Sequence, residues 1–97
     1  MIKHIVMWKL KNPVDAPHFK AELDSCRDLV PGMLKFEVAT RTVALEASCD
    51  VVLYSVFESS AALAAYQKHP QHQYISSVLG ALRDSRSVLD YEIIDSH

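Results

Sequence analysis

The chain has little glycine and little cysteine, and each shortage excludes a kind of chemistry. Gly32 and Gly80 are the only glycines among 97 residues, which excludes a glycine-rich loop that cradles phosphate groups with its backbone. Cys26 and Cys49 are the only cysteines, and neither lies in a CxxC motif or at ligand spacing from a histidine. The sequence therefore gives no support to zinc or thioredoxin-type chemistry, and both thiols are expected to be reduced core residues.

Concentrated charge is also missing. Ten Lys and Arg residues against twelve Asp and Glu residues give a formal net charge of −2, and the basic residues are scattered. Proteins that bind nucleic acid present a stripe of basic side chains to the phosphates, and membrane anchors need a polybasic or lipidated segment. We expect neither partner, and we expect a cytoplasmic protein whose residues 1–97 form a single domain.

Hydrophobic patterning predicts the order β-α-β-β-α-β with the second helix split in two. This order is typical of the ferredoxin-like α+β fold, in which helices cover one face of an antiparallel sheet. Asp15 is expected to cap the first helix, and His69-Pro70 to divide the second. The predicted strands span about 3–10, 33–42, 51–57 and 87–94, and the predicted helices about 15–29, 59–69 and 71–82.

A sheet with helices on one side leaves its other face bare. Ile5, Met7 and one side of the third strand would lie on that face, whereas Leu34, Phe36 and Val38 of the second strand would share a single face. A domain of this size buries only about two-thirds of its unfolded surface, yet 49% of the residues are hydrophobic. A second copy of the chain would cover the bare face, so a homodimer is predicted.

Three polar side chains are the candidates for chemistry. His4 lies on a strand face otherwise made of apolar residues, Tyr66 lies one turn before the predicted helix break, and His72 begins an apolar helix face. A histidine base beside a tyrosine donor suits proton transfer next to a carbonyl group. The structural alternatives are a core-edge His4 bonded to a backbone carbonyl, a His72 that caps its helix, and a Tyr66 that is a core aromatic.

The remaining histidines are interpreted as structural or peripheral. His69 precedes Pro70, which constrains its backbone, and it is expected to pack at the helix end or to point to solvent. His18 and His97 have no partner by spacing, and the five histidines contain no arrangement typical of a metal site. No metal is predicted.

Two segments resemble the stress-responsive A/B barrel domain (Dabb) family: residues 4–11 (HIVMWKLK) and 65–72 (AYQKHPQH). Residues 56–59 and 89–91 fit the same pattern, so the resemblance spans nearly the whole chain. It implies a dimeric α+β barrel with a cavity between sheet and helices in each subunit. A plant branch of the family consists of cofactor-free polyketide cyclases, and the resemblance places their proton-transferring tyrosine and histidine at Tyr66 and His72, with His4 lining the cavity. Residues 21–30 contain no tyrosine to match the cyclases' cavity wall, so cyclisation of the same substrate is not expected.

The sequence therefore supports two functional hypotheses. In the first, a small apolar or aromatic ligand undergoes cyclase-, lyase- or isomerase-type proton chemistry without a cofactor, with His72 as base, Tyr66 as donor and His4 as hydrogen-bond partner. In the second, the protein is a non-catalytic dimeric stress-response or accessory binding module. Related barrels also carry out cofactor-independent oxygenation. The apolar residues expected to surround the ligand are Val6, Trp8, Leu63, Ile75 and Leu79.

Overall fold

Four antiparallel strands form one sheet, and three α-helices pack on one of its faces. The computed structural model describes residues 1–94, and the sheet order β2-β3-β1-β4 confirms the predicted ferredoxin-like arrangement. The elements are β1 (Ile2–Leu10), a 3-10 turn (Pro13–Asp15), α1 (Ala16–Asp24), β2 (Met33–Thr40), β3 (Val51–Phe57), α2 (Ser60–Lys68), α3 (Pro70–Leu82) and β4 (Arg83–Glu92).

Strand β1 is central, and its alternation sets the two faces of the sheet. His4, Val6, Trp8 and Leu10 are buried against the helices, as the period of two predicts. On β3, which pairs with β1, Leu53 and its alternate neighbours join the same core. Burial of these strands against the helices supplies the main hydrophobic stabilisation of the fold.

The split in the second helix arises at His69 and Pro70. The backbone of His69 is extended, with φ −62° and ψ 135°, so the residue ends α2 and begins α3. Pro70 disfavours helical backbone angles at the residue before it, which agrees with the extended backbone of His69. At the other end of α2, Ser59 accepts a hydrogen bond from the backbone N–H of Ala62, which makes Ser59 the N-cap.

The first helix is shorter than predicted, and Asp15 does not cap it. The capping oxygen belongs to Asn12, which accepts from the N–H of Val14 at the start of the 3-10 turn, and Asp15 forms no side-chain cap. The helix ends at Asp24 because the next residues form tight turns and Asp28 adopts a left-handed φ of 59°. Cys26 is nevertheless fully buried, as the apolar stripe predicts.

Three strand predictions also need correction. Leu34 does not share the buried face of Phe36 and Val38, because the pairing register with β3 shifts between Met33 and Lys35 and leaves Leu34 54% exposed. Strand β2 ends at Thr40 and not near residue 42. Strand β4 begins at Arg83, four residues before the predicted start at 87, because α3 runs directly into the sheet.

The face of the sheet opposite the helices carries exposed apolar side chains. Met7 is 42% exposed and Leu89 is 62% exposed, and Leu89 lies beside Ile5 in the pairing of β4 with β1. Within residues 1–94 no helix covers this face. None of the helices in that part of the chain is long and apolar enough to cross a membrane.

Candidate functional site

His4, Tyr66 and His72 line one cavity between the sheet and the helices. Strand β1 contributes His4, the end of α2 contributes Tyr66, and the first turn of α3 contributes His72. The Tyr66 ring lies between the two imidazoles, with ring centroids 6.4 Å from His4 and 4.5 Å from His72. The break at His69 and Pro70 changes the chain direction between the two helices, which allows both rings to reach the same space.

His4 is oriented by a carboxylate. Its side chain is 3% exposed, and its Nδ1 forms a short hydrogen bond with Oδ1 of Asp90 on the neighbouring strand β4. With a neutral ring, Nδ1–H donates to the carboxylate, which leaves Nε2 as the nitrogen without a proton. The backbone carbonyl of His4 accepts from Ser55 Oγ at 2.8 Å. The alternative in which the His4 ring bonds to a backbone carbonyl is therefore wrong, because its partner is Asp90.

Tyr66 is held in its protonated form by burial. The side chain is 1% exposed and packs against Phe57, with ring centroids 5.2 Å apart. Removal from water raises the pKa of its phenol well above the ordinary value, and the neighbouring Cys26 thiol adds to this increase. At neutral pH the hydroxyl is consequently a proton donor in an apolar environment.

His72 is held in its neutral form. Burial is the main factor that lowers the pKa of its imidazole, and the positive charge of Arg86 adds to the effect, while the Gln67 backbone carbonyl opposes it. The Nδ1 atom of His72 is buried, and no group in the described chain forms a hydrogen bond of acceptable geometry with it. A neutral imidazole that lines a cavity can accept a proton at its unprotonated ring nitrogen.

The helix-cap alternative for His72 is also wrong, because His69 has that role. Nδ1 of His69 accepts the N–H of Gln71 at 3.1 Å and caps α3. This confirms the structural interpretation of His69. His72 is three residues beyond this cap and faces the cavity.

The apolar lining is mostly as predicted, but the cavity is small. Val6, Trp8, Ile75 and Leu79 line it, whereas Leu63 is buried in the core and does not. Its volume is about 60 Å³, compared with about 300–1,000 Å³ for typical ligand pockets. A ligand of a few heavy atoms fits without rearrangement, and a larger one requires the walls to move.

A larger depression of about 500 Å³ lies on the opposite side of the sheet, beneath the segment that joins β2 and β3. Its buried carboxylate, Asp50, accepts the backbone N–H of Leu10 at 2.8 Å and so ties β1 to this segment. Among residues 1–94, the residues that line the depression include neither a histidine nor a tyrosine. The smaller cavity is therefore the better candidate for chemistry despite its size.

Six further residues that shape the cavity were not predicted as site residues, and two of them, Leu23 and Leu53, extend its apolar lining. Asp90 orients His4, and Cys26, Ser76 and Arg86 belong to the lining. The role of Asp90 depends on the strand register that places it opposite His4, and the sequence alone does not specify that register. Arg86 lies before the predicted start of the last strand, so the sequence could not assign its side chain to either face of the sheet.

His18 does not line this cavity. His18 does have a partner, since its Nε2 lies 3.9 Å from Oε1 of Glu22 one helical turn away, but its side chain is 59% exposed. His97 lies outside the described residues. In residues 1–94 no three His, Cys, Asp or Glu side chains are grouped so that they could hold a metal ion.

Solved structures share this fold over nearly their full lengths. A dimeric ferredoxin-like protein of unknown function from Bacteroides fragilis is 27% identical, with a TM-score of 0.79 and 95% of both chains covered. A Dabb family protein from Mesorhizobium loti is 19% identical, with a TM-score of 0.78 and 97% of both chains covered. A hydroxynitrile lyase from Passiflora edulis is 18% identical, with a TM-score of 0.79, over 99% of this chain and 95% of that one.

No curated protein matches the chain. The sequence model of the stress responsive A/B barrel domain, in contrast, matches residues 2–93. The match includes the strand that carries His4 and the segment that carries Tyr66 and His72. The chain belongs to the stress-responsive A/B barrel domain (Dabb) family.

Proposed function

We propose that the protein catalyses proton transfer at a carbon next to the carbonyl group of a small molecule, in a reaction of the cyclase, lyase or isomerase type. The carrying observation is the pairing of His72 with Tyr66. A neutral imidazole lies 4.5 Å, ring to ring, from a buried phenol that carries its proton at neutral pH. Such proton transfer requires an unprotonated base and a protonated acid at the same pH.

In the proposed mechanism, the imidazole of His72 takes the proton from the carbon beside the carbonyl. The Tyr66 hydroxyl donates a hydrogen bond to the carbonyl oxygen as negative charge develops there. His4 binds the ligand through the ring nitrogen that Asp90 leaves free. Burial of His4 and Tyr66 lowers the local dielectric constant and so strengthens their interactions with the ligand.

Two features support this class of reaction. The lining is apolar apart from the few polar groups named above, which is typical of sites for small organic molecules. The similar Passiflora structure is named a hydroxynitrile lyase, so a protein of this fold carries out carbon–carbon bond chemistry. His72, Tyr66 and His4 supply acid and base groups from the chain itself, without a cofactor.

Exchange of carbon-bound hydrogen for deuterium tests the proposal. Methyl 4-oxopentanoate in D₂O is followed by NMR with the wild-type protein and with Tyr66→Phe and His72→Gln. Loss of an acid or base costs about 10²- to 10⁴-fold, so both variants are expected to lose the protein-dependent exchange. Tyr74→Phe and His18→Gln are the matched controls because both side chains are exposed. Wild-type exchange no faster than buffer, or full exchange with His72→Gln, would contradict the proposal.

We also propose a cytoplasmic homodimer that forms through the open face of the sheet. Leu89, Met7 and Ile5 form an apolar patch there, and the Bacteroides structure is described as dimeric. Burial of such a patch between two copies removes it from water. In sedimentation experiments, Leu89→Lys is expected to give monomers, whereas Val88→Lys, at an exposed position on the other face of the same strand, is expected to remain dimeric. A monomeric wild-type protein at micromolar concentration would contradict this part of the proposal.

A non-catalytic binding module is the second candidate, and the size of the cavity favours it. A space of about 60 Å³ holds a few water molecules as readily as a small ligand. The two functions differ in the exchange experiment. A binding module gives ligand-induced changes at His72 without protein-dependent exchange.

A further inference from the structure

Among the described residues 1–94, Arg86 is the one lining residue of the cavity that is always charged. It follows α3 on strand β4, where it lies opposite Trp8 in the pairing with β1, and both side chains line the cavity. Among the side chains of residues 1–94 that form the lining, none is a carboxylate. The nearest acidic group described above, Asp90, is already paired with His4.

The guanidinium of Arg86 is free for a ligand. Within residues 1–94 it forms neither an ion pair nor a hydrogen bond. Arg27 shows the contrast, because its guanidinium binds both Asp24 and the carbonyl of Phe36. A guanidinium without a protein partner at a concave site is suited to hold a carboxylate through two parallel hydrogen bonds.

The charge of Arg86 also reaches the candidate catalytic group. It helps to keep His72 neutral. Ser76, on α3, lines the same cavity and offers a hydroxyl near this end. An anionic ligand would thus meet the positive charge of Arg86 in a cavity whose lining, within residues 1–94, contains no carboxylate.

We propose that the substrate is a small oxo acid, whose carboxylate binds Arg86 at the edge of the cavity while its carbonyl group lies between Tyr66 and His72. This inference rests on the proposed function and specifies its substrate class. It replaces an uncharged apolar ligand with one that carries a negative charge at one end. Arg86 is exposed at the cavity edge, and charge-assisted hydrogen bonds from its guanidinium would give it the role of selecting this class.

Binding of a charged and an uncharged probe of nearly equal shape tests the inference. The probes are 4-oxopentanoate and its methyl ester, titrated by NMR into the full-length protein at low salt. The wild type is expected to bind the acid at least about tenfold more tightly than the ester. In Arg86→Gln this preference is expected to fall to within about twofold. Arg83→Gln is the control, because Arg83 is exposed on the same strand and does not line the cavity.

Three results would overturn the inference. The first is equal affinity of the wild type for acid and ester, and the second is an equal loss of preference in Arg86→Gln and Arg83→Gln. The third is no binding of either probe. The first two leave the proposed function intact if the ester still exchanges deuterium in a manner that depends on His72. Loss of that exchange together with a retained preference for the acid would instead reject the function and keep the anion site.

Discussion

Replacement of Asp90 tests whether this carboxylate holds His4 in place. The His4 side chain is 3% exposed and its Nδ1 is bonded to Asp90. Asp90→Ala removes the acceptor and leaves a buried N–H unsatisfied, at a cost of about 1–3 kcal/mol. Because the Asp90 side chain is 37% exposed, water can replace part of the lost bond, so we expect a loss of about 1–2 kcal/mol in the free energy of unfolding.

Asp90→Asn separates the hydrogen bond from the charge. The amide oxygen can still accept from Nδ1–H, so the loss is expected to be below about 1 kcal/mol. Urea unfolding at pH 7 with linear extrapolation measures both variants. Asp84→Ala, at an exposed position of the same strand, is the control and is expected to change stability by less than about 0.5 kcal/mol. If Asp90→Ala were as stable as Asp84→Ala, the assigned role of the carboxylate would be refuted.

Three further predictions concern stability. The fold lowers the pKa of His72 below its ordinary 6.5, so the unfolded chain binds a proton at a higher pH than the folded chain does. Stability measured by urea unfolding should therefore decrease as the pH drops below about 6.5. His72→Gln, but not His18→Gln, should remove part of that decrease. Gly32 has φ +89°, and an added Cβ would lie 2.9 Å from neighbouring side-chain carbons, so Gly32→Ala should lower the melting temperature. A Cβ added at Gly80 would have no neighbouring atom within 4 Å, so Gly80→Ala should raise stability by about 0.5–1 kcal/mol. A Gly32→Ala variant more stable than Gly80→Ala would contradict the packing described. Ser59→Ala should cost about 1 kcal/mol because it removes the N-cap of α2, and an unchanged urea midpoint would argue against that cap.

The parts of the fold that the sequence predicts well have strong local signals. The period of two in β1 places His4 on the buried face with Val6 and Trp8, and burial follows that pattern. His69-Pro70 predicts the helix break from the steric restriction that proline imposes on the residue before it. In both cases a few neighbouring residues determine the backbone without help from distant contacts.

The errors arise where long-range contacts decide the outcome. Leu34 has the right spacing for the buried face, but a register shift against β3 exposes it. Strand β4 extends back to Arg83 because β1 pairs with it there, although the polar residues at its start give no strand signal of their own. Pairing partners and register are set by the whole sheet.

The candidate site could be predicted in composition but not in arrangement. Tyr66 and His72 are close in sequence, so their proximity follows from the helix break. The partnership of His4 with Asp90 and the position of Arg86 depend on the pairing of the first and last strands. The cavity volume of about 60 Å³ depends on how all the elements pack, and periodicity carries no information about it.

The imidazole resonances of the wild-type protein test the central claim most directly. In long-range ¹H–¹⁵N NMR spectra at pH 7, His72 should be neutral, as its lowered pKa requires. Addition of 4-oxopentanoate should shift the ring nitrogens of both His72 and His4, because both line the same cavity, and leave those of His18 unchanged. A protonated His72 at pH 7, or a titration that moves only His18, would contradict the account.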